Sequence, residues 1–126
     1  MPATKTANIA IADDHALLRQ TFRQVLQTMG HTVIIEAPNG KLLIEMLQFG
    51  PSPDLCLLDI NMPVMNGFET ARALKQFFPA IKIVVCTMNS EARTLQQFKD
   101  LEVSGFIAKY APFDDMKETL EKVLDQ

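Results

Sequence analysis

The chain has 126 residues, enough for one domain around one core and too few for two. With 48% hydrophobic and 21% charged residues it is not a disordered chain, and a net charge of −3 with no Lys/Arg cluster argues against nucleic-acid contact by this domain. The N-terminus lacks the basic-then-apolar pattern of a signal peptide and no apolar run is long enough to span a membrane, so a cytoplasmic location is expected.

The first apolar run, Ile9-Ala10-Ile11-Ala12, ends at Asp13-Asp14. A helical pattern follows, with Leu18, Phe22, Val25 and Met29 on one face and Gly30 as its stop. Thr32-Val33-Ile34-Ile35 reads as the second strand. Pro38-Asn39-Gly40 then leads into a helix carrying Leu42, Leu43, Met46 and Leu47, and Pro51-Ser52-Pro53 forms a rigid connector. The third strand, Leu55-Cys56-Leu57-Leu58, is apolar on both faces and ends at Asp59. Asn66 and Glu69 have the spacing of a helix N-cap and its reciprocal partner, and Phe68, Ala71, Leu74 and Phe78 line that helix. The fourth strand runs from Ile81 to Cys86 and ends at Thr87. A helix from about Ser90 carries Leu95 and Phe98. The fifth strand, Phe106-Ile107-Ala108, ends at Lys109, and Phe113, Met116, Leu120 and Val123 mark the last helix. Cys56 and Cys86, inside apolar runs, read as small hydrophobes.

Strand and helix thus alternate throughout residues 1–126. Strands apolar on both faces belong to a parallel sheet covered by helices on both sides. Right-handed crossovers give a doubly wound α/β domain, a flavodoxin-like (βα)5 fold with strand order 2-1-3-4-5. Such sheets bind ligands at the carboxyl ends of their strands. Asp13, Asp14, Asp59, Thr87 and Lys109 all fall there, on strands that are neighbours in this order.

Three crowded carboxylates repel unless a cation sits among them, and hard oxygen ligands at this density suit Mg²⁺. One carboxylate can then stay ionised as a nucleophile toward phosphorus, with Lys109 and the Thr87 hydroxyl meeting phosphoryl oxygens. His15 reads as a helix-start residue and His31 as a turn residue without chemistry.

The segments Ile11-Ala12-Asp13-Asp14-His15, Leu57-Leu58-Asp59-Ile60-Asn61-Met62-Pro63, Asn66-Gly67, Val84-Val85-Cys86-Thr87 and Gly105-Phe106-Ile107-Ala108-Lys109 together resemble the receiver domain of two-component response regulators. The resemblance covers essentially the whole chain. It implies that Asp59 accepts a phosphoryl group from a histidine kinase or phosphotransfer protein. It further implies that Asp14 binds Mg²⁺ directly, Asp13 largely through water, and Asn61 through its backbone carbonyl. Thr87 and Lys109 would bind the phosphoryl group, and Phe106 would be the aromatic that changes rotamer with it. The stretch Asp14-His15-Ala16-Leu17-Leu18-Arg19 further resembles the subgroup with a C-terminal helix-turn-helix output domain of the LuxR/NarL type. That implies transcription regulation through a DNA-binding domain outside this chain, with a homodimer through the last two helices and fifth strand as one route of output.

The chain departs from the family pattern in three places. Tyr110 rather than Pro follows the lysine, so a trans bond is expected. Met88 stands where a small residue is usual and is expected to shield the phosphoryl group. Glu102 replaces the Gly expected after the fourth helix, leaving that helix's end hard to place. Two other functions compete. One is a stand-alone regulator acting by protein–protein binding. The other is a Mg²⁺-dependent aspartyl-phosphate hydrolase, which wants a carboxylic acid two residues after the nucleophile, where this chain has Asn61.

Overall fold

A computed structural model describes residues 6–88 and 92–125. Among these, five strands, β1 (Asn8–Ala12), β2 (Thr32–Ala37), β3 (Leu55–Asp59), β4 (Lys82–Thr87) and β5 (Gly105–Ala108), alternate with five helices. The helices are α1 (Ala16–Thr28), α2 (Gly40–Phe49), α3 (Gly67–Phe77), α4 (Ala92–Asp100) and α5 (Phe113–Leu124). The expected start of the fourth helix, near Ser90, lies outside the described residues. All strand pairs are parallel and the order is β2-β1-β3-β4-β5, the flavodoxin-like arrangement.

Alternation along each central strand divides the core in two. Ile9, Ile11, Leu55, Leu57, Val84 and Cys86 pack with Phe22 and Leu26 of α1 and Met116, Leu120 and Val123 of α5. Their strand neighbours Ala10, Ala12, Cys56, Leu58, Ile83 and Val85 pack with Leu43 and Leu47 of α2, Ala71 and Leu74 of α3, and Phe98 of α4. Strands buried on both sides must be apolar at every position, which is why β1, β3 and β4 show no polar alternation. Both cysteines are free and buried in this core, where burial pushes the Cys56 thiol up to about 12 and also raises that of Cys86. Of the four apolar residues read on α2, Leu43 and Leu47 are buried, while Leu42 and Met46 are 38% and 42% exposed. His31 is buried and structural: its Nδ1 accepts the Ala7 N–H at 3.1 Å, and burial lowers its pKa.

Helix ends follow local chemistry. Asn39 caps α2 by accepting from Leu42 N–H. At α3 the Asn66 side chain accepts from Glu69 N–H at 2.9 Å while the Glu69 carboxylate accepts from Asn66 N–H at 3.1 Å, a complete capping box. The end of α4 is built on the residue that made it hard to place. Glu102 takes the left-handed conformation, φ 61°. Its N–H donates to Lys99 C=O at 2.9 Å and the Val103 N–H reaches Phe98 C=O at 3.4 Å, the paired bonds of a Schellman motif. Val103 also packs against the core cluster that contains Phe98.

A non-glycine residue in this conformation costs about 1 kcal/mol. Glu102→Gly is therefore expected to raise the unfolding free energy by about 1 kcal/mol, whereas Glu102→Ala, which keeps a Cβ, brings no such gain. Urea denaturation of the two variants beside the wild type checks this; equal midpoints for all three would remove the strain from the account.

Candidate functional site

The topology carries the terminal residues of β1, β3, β4 and β5 to one sheet edge. Asp13 follows β1, with its N–H bonded to Ala37 C=O of β2 at 3.0 Å. Asp59 is the last residue of β3 and Thr87 the last of β4. Lys109 follows β5, its N–H bonded to Thr87 C=O at 3.0 Å. Asp13, Asp59, Thr87 and Lys109 are all buried polar residues.

Lys109 Nζ lies 3.0 Å from Asp59 Oδ1 and 3.2 Å from Asp13 Oδ2, joining the two carboxylates through one ammonium. Burial raises the Asp59 pKa above the ordinary carboxylate range, and Lys109 offsets only part of that. For Lys109, burial alone would depress the ammonium, but Asp59 and Asp13 outweigh it and its pKa is raised. Asp59 also accepts the backbone N–H of Asn61, while its Oδ2 is buried with no hydrogen-bond partner.

The loops that hold these groups are tightly constrained. Arg19 Nη1 donates to Asp13 C=O at 2.6 Å, and Glu36 of β2 pairs with both Arg19 and Arg23, anchoring the turn after β1. After β3, the Gly67 N–H donates to Ile60 C=O at 2.8 Å, and a Cβ on Gly67 would run into the Asp59 carbonyl and Ile60. Only glycine lets α3 approach the phosphoacceptor candidate so closely. Between them Val64 has φ 69°, with Met65 N–H bonded to Pro63 C=O at 2.7 Å, a γ-turn centred on a β-branched residue.

A cleft of about 290 Å³ opens over this edge, lined by His15, Asp59, Ile60, Asn61, Thr87, Met88, Thr94 and Lys109. Of the residues read from the sequence, Asp13, Asp14 and Asp59 come together with His15, each offering one ligand atom within 4.8 Å of the others. Asn61 lies beside them on the cleft wall. Phe106 is not in the cleft; it sits on β5, partly buried against the core cluster beneath α2, α3 and α4. The Lys109–Tyr110 bond is trans, and Met88 is exposed at the cleft.

His15 is more than the helix-start residue it was read as. Its exposed ring places Nδ1 3.2 Å from Asp13 Oδ1 and 3.1 Å from Asp14 Oδ1, while its N–H donates to Asp13 Oδ1 at 2.8 Å. Thr94 also escaped the sequence reading, and Arg19 entered it only as the end of the stretch from Asp14, with no structural role. Arg19 stands four residues after His15, one helical turn, which is the only trace of its role in the sequence.

The family model of the response regulator receiver domain matches residues 9–121, so the chain belongs to that family, the receiver domain of two-component response regulators. It is 30% identical over 117 residues to the chemotaxis protein CheY of Bacillus subtilis, covering 93% of this chain and 97% of CheY. It is 32% identical over 123 residues to the nitrate/nitrite response regulator NarL of Escherichia coli, covering 97% of this chain but 56% of NarL. The chain thus spans nearly all of one relative and about half of the other. Among solved structures, the isolated receiver domain of RcsB from Salmonella enterica serovar Typhimurium, in the presence of phosphomimetic BeF3−, superposes with a TM-score of 0.88 at 26% identity. That match covers 96% of this chain and 90% of the RcsB chain. No helix among the described residues is long and apolar enough to cross a membrane.

Removing Lys109 leaves two buried carboxylates without their cation. Lys109→Met is expected to cost about 3 kcal/mol at neutral pH without divalent ions. Its loss raises the Asp59 pKa further, so the folded state binds that proton more tightly than the unfolded chain. The deficit is then full at neutral pH and shrinks as pH falls through the folded-state pKa. Urea unfolding at neutral and mildly acidic pH checks both; a deficit that grows on acidification would contradict this account.

Proposed function

We propose that this domain accepts a phosphoryl group on Asp59 from the phosphohistidine of a histidine kinase or phosphotransfer protein, and that the modified domain switches an output. The observation that carries the reading is the Asp59 carboxylate itself: one oxygen is held by Lys109, and the other is buried without a partner at the cleft. In the transfer, Asp59 Oδ2 forms a bond to phosphorus as the N–P bond breaks, and the electron pair of that bond stays with the departing imidazole. Lys109, already 3.0 Å from Asp59, is placed to meet a phosphoryl oxygen, and the Thr87 hydroxyl to donate to another.

The donor set fits a divalent cation, because Asp13, Asp14 and Asp59 lie together, one lysine pairs with only two of them, and Asp59 keeps an oxygen without a hydrogen-bond partner. Asp14 and Asp13 would hold Mg²⁺, with Asp59 and the Asn61 carbonyl completing the protein ligands. When bound, Mg²⁺ supplies neutralisation of the charge shared by carboxylates and phosphoryl oxygens.

For the output, the transcriptional regulatory protein DegU of Brevibacillus brevis, of which the chain covers 49%, supports transcription regulation through a domain outside this chain, and the resemblance to the LuxR/NarL subgroup makes that domain a DNA-binding one. The near-complete coverage of CheY supports the second reading, a regulator that acts alone by protein–protein binding. Either way α4, β5 and α5 are the natural route, because Thr87 and Lys109 end β4 and begin the loop after β5; a homodimer through this face is one form that output can take.

Intact mass after incubation with Mg²⁺ and a small-molecule phosphodonor tests the acceptor. One added phosphoryl group is expected on the wild type and none on Asp59→Asn or without Mg²⁺. A folded protein that binds Mg²⁺ and gains no mass would overturn the reading, and continuous release of inorganic phosphate would favour a hydrolase. Met88 overhangs the cleft, so Met88→Ala is expected to shorten the phosphoryl lifetime in the same assay by opening the site to water; an unchanged decay would leave Met88 without that role.

A further inference from the structure

The residue that the receiver reading leaves without work is His15. An imidazole that is 64% exposed is ordinarily free to turn into solvent, yet Nδ1 stands 3.2 Å from Asp13 Oδ1 and 3.1 Å from Asp14 Oδ1. These separations are those of neighbouring ligands on one ion: two donors at right angles, each ~2.1 Å from a cation, lie about 3 Å apart. The backbone reinforces the arrangement, because the His15 N–H donates to the same Asp13 oxygen at 2.8 Å and fixes ring and carboxylate on one side of the turn. The group also contains Asp59, which is 4% exposed and whose Oδ2 has no hydrogen-bond partner. The set at this edge is therefore one imidazole nitrogen and three carboxylates, not oxygen alone.

We propose that His15 is a ligand of this cation site and makes it selective for borderline divalent transition ions, of the Co²⁺ to Zn²⁺ class, over Mg²⁺. The inference rests on the reading of the acidic cluster as a cation site. Carboxylate and carbonyl oxygens suit Mg²⁺, whereas imidazole suits the later first-row ions, whose affinity for a mixed nitrogen and oxygen set rises along the Irving–Williams order. Mg²⁺ keeps its waters and gains little from a nitrogen donor. The His15 ring thus adds affinity for one class of ion without closing the site to the other. Other placements of the ring make the opposite forecast. If His15 only donates a hydrogen bond to the two aspartates, it competes with any cation for their oxygens, and removing it tightens every ion alike.

Calorimetric titration of Mg²⁺ and of Co²⁺ into the wild type, His15→Ala and His15→Gln separates these cases, with the visible spectrum of bound Co²⁺ recorded alongside. The expected result is a loss of Co²⁺ affinity of about tenfold or more in both variants, a changed Co²⁺ band, and Mg²⁺ affinity within about twofold of the wild type. Glutamine offers no ring nitrogen, so a loss shared by both variants marks ligation and not bulk. Equal Co²⁺ affinity in all three proteins, or tighter binding of both ions in the variants, overturns the proposal while leaving the Mg²⁺ site intact. A wild type that binds neither ion overturns the cation site itself and this inference with it, a result distinct from the loss of His15 selectivity alone.

Discussion

One ammonium shared between two buried carboxylates is the constraint on which the rest of this structure depends. Withdrawing each ion from water costs several kcal/mol, and the attraction across about 3 Å at an effective dielectric of about 20 returns a comparable amount. Lys109 can balance one carboxylate but not both, so Asp13 and Asp59 leave the edge with negative charge in excess. An apolar trio would be easier to bury. The cluster survives because its surroundings are stiff: Asp59 is fixed by β3 pairing on both sides, and Lys109 is tied through its N–H to the end of β4. On the proposed function, that excess negative charge is what a bound cation would neutralise.

The parallel sheet explains why those groups meet at all. Strand order reverses beside β1, so the turns after β1 and β3 run to opposite faces and leave a crevice between them. Arg19, reaching back to the Asp13 carbonyl, closes the first of these turns, and Gly67, pressed against Ile60, closes the second. Both contacts position backbone and not charge. The left-handed Val64 beside them shows the same priority, since a β-branched residue is among the worst choices for that conformation. Regular packing governs the strands, and the crevice loops accept local cost to fix where the carboxylates point.

What was legible in the sequence divides along that line. Apolar runs, helix faces and the capping box at Asn66 and Glu69 are local signals, and β1 to β5 and α1 to α5 follow from them. The convergence of Asp13, Asp59, Thr87 and Lys109 was legible because strand ends are easy to find and the winding rule makes them neighbours. Features requiring three dimensions were not. Exposure of Leu42 and Met46 depends on which neighbours α2 meets, and periodicity cannot supply that. The ring of His15 turns toward Asp13 and Asp14 by a side-chain rotation with no sequence signature. Glu102 looked like a lost helix stop because composition favours glycine there, whereas two capping hydrogen bonds and the packing of Val103 outweigh about 1 kcal/mol of backbone cost.

On the proposed function, the route outward from the edge is short. A ligand or modification can shift a conformational equilibrium only through contacts that differ between its two states. The Asp59 carboxylate is bonded to Lys109 and to the backbone N–H of Asn61. Lys109 is joined to Thr87 by a main-chain hydrogen bond, and three residues before it Phe106 is only partly buried against the core beneath α4. On that proposal, a change of charge at Asp59 that draws on Lys109 and Thr87 acts on the ends of β4 and β5. The lever on that proposal is the shared ammonium: once Asp59 no longer competes with Asp13 for it on equal terms, the Lys109 side chain at the end of β5 must find a new balance of contacts.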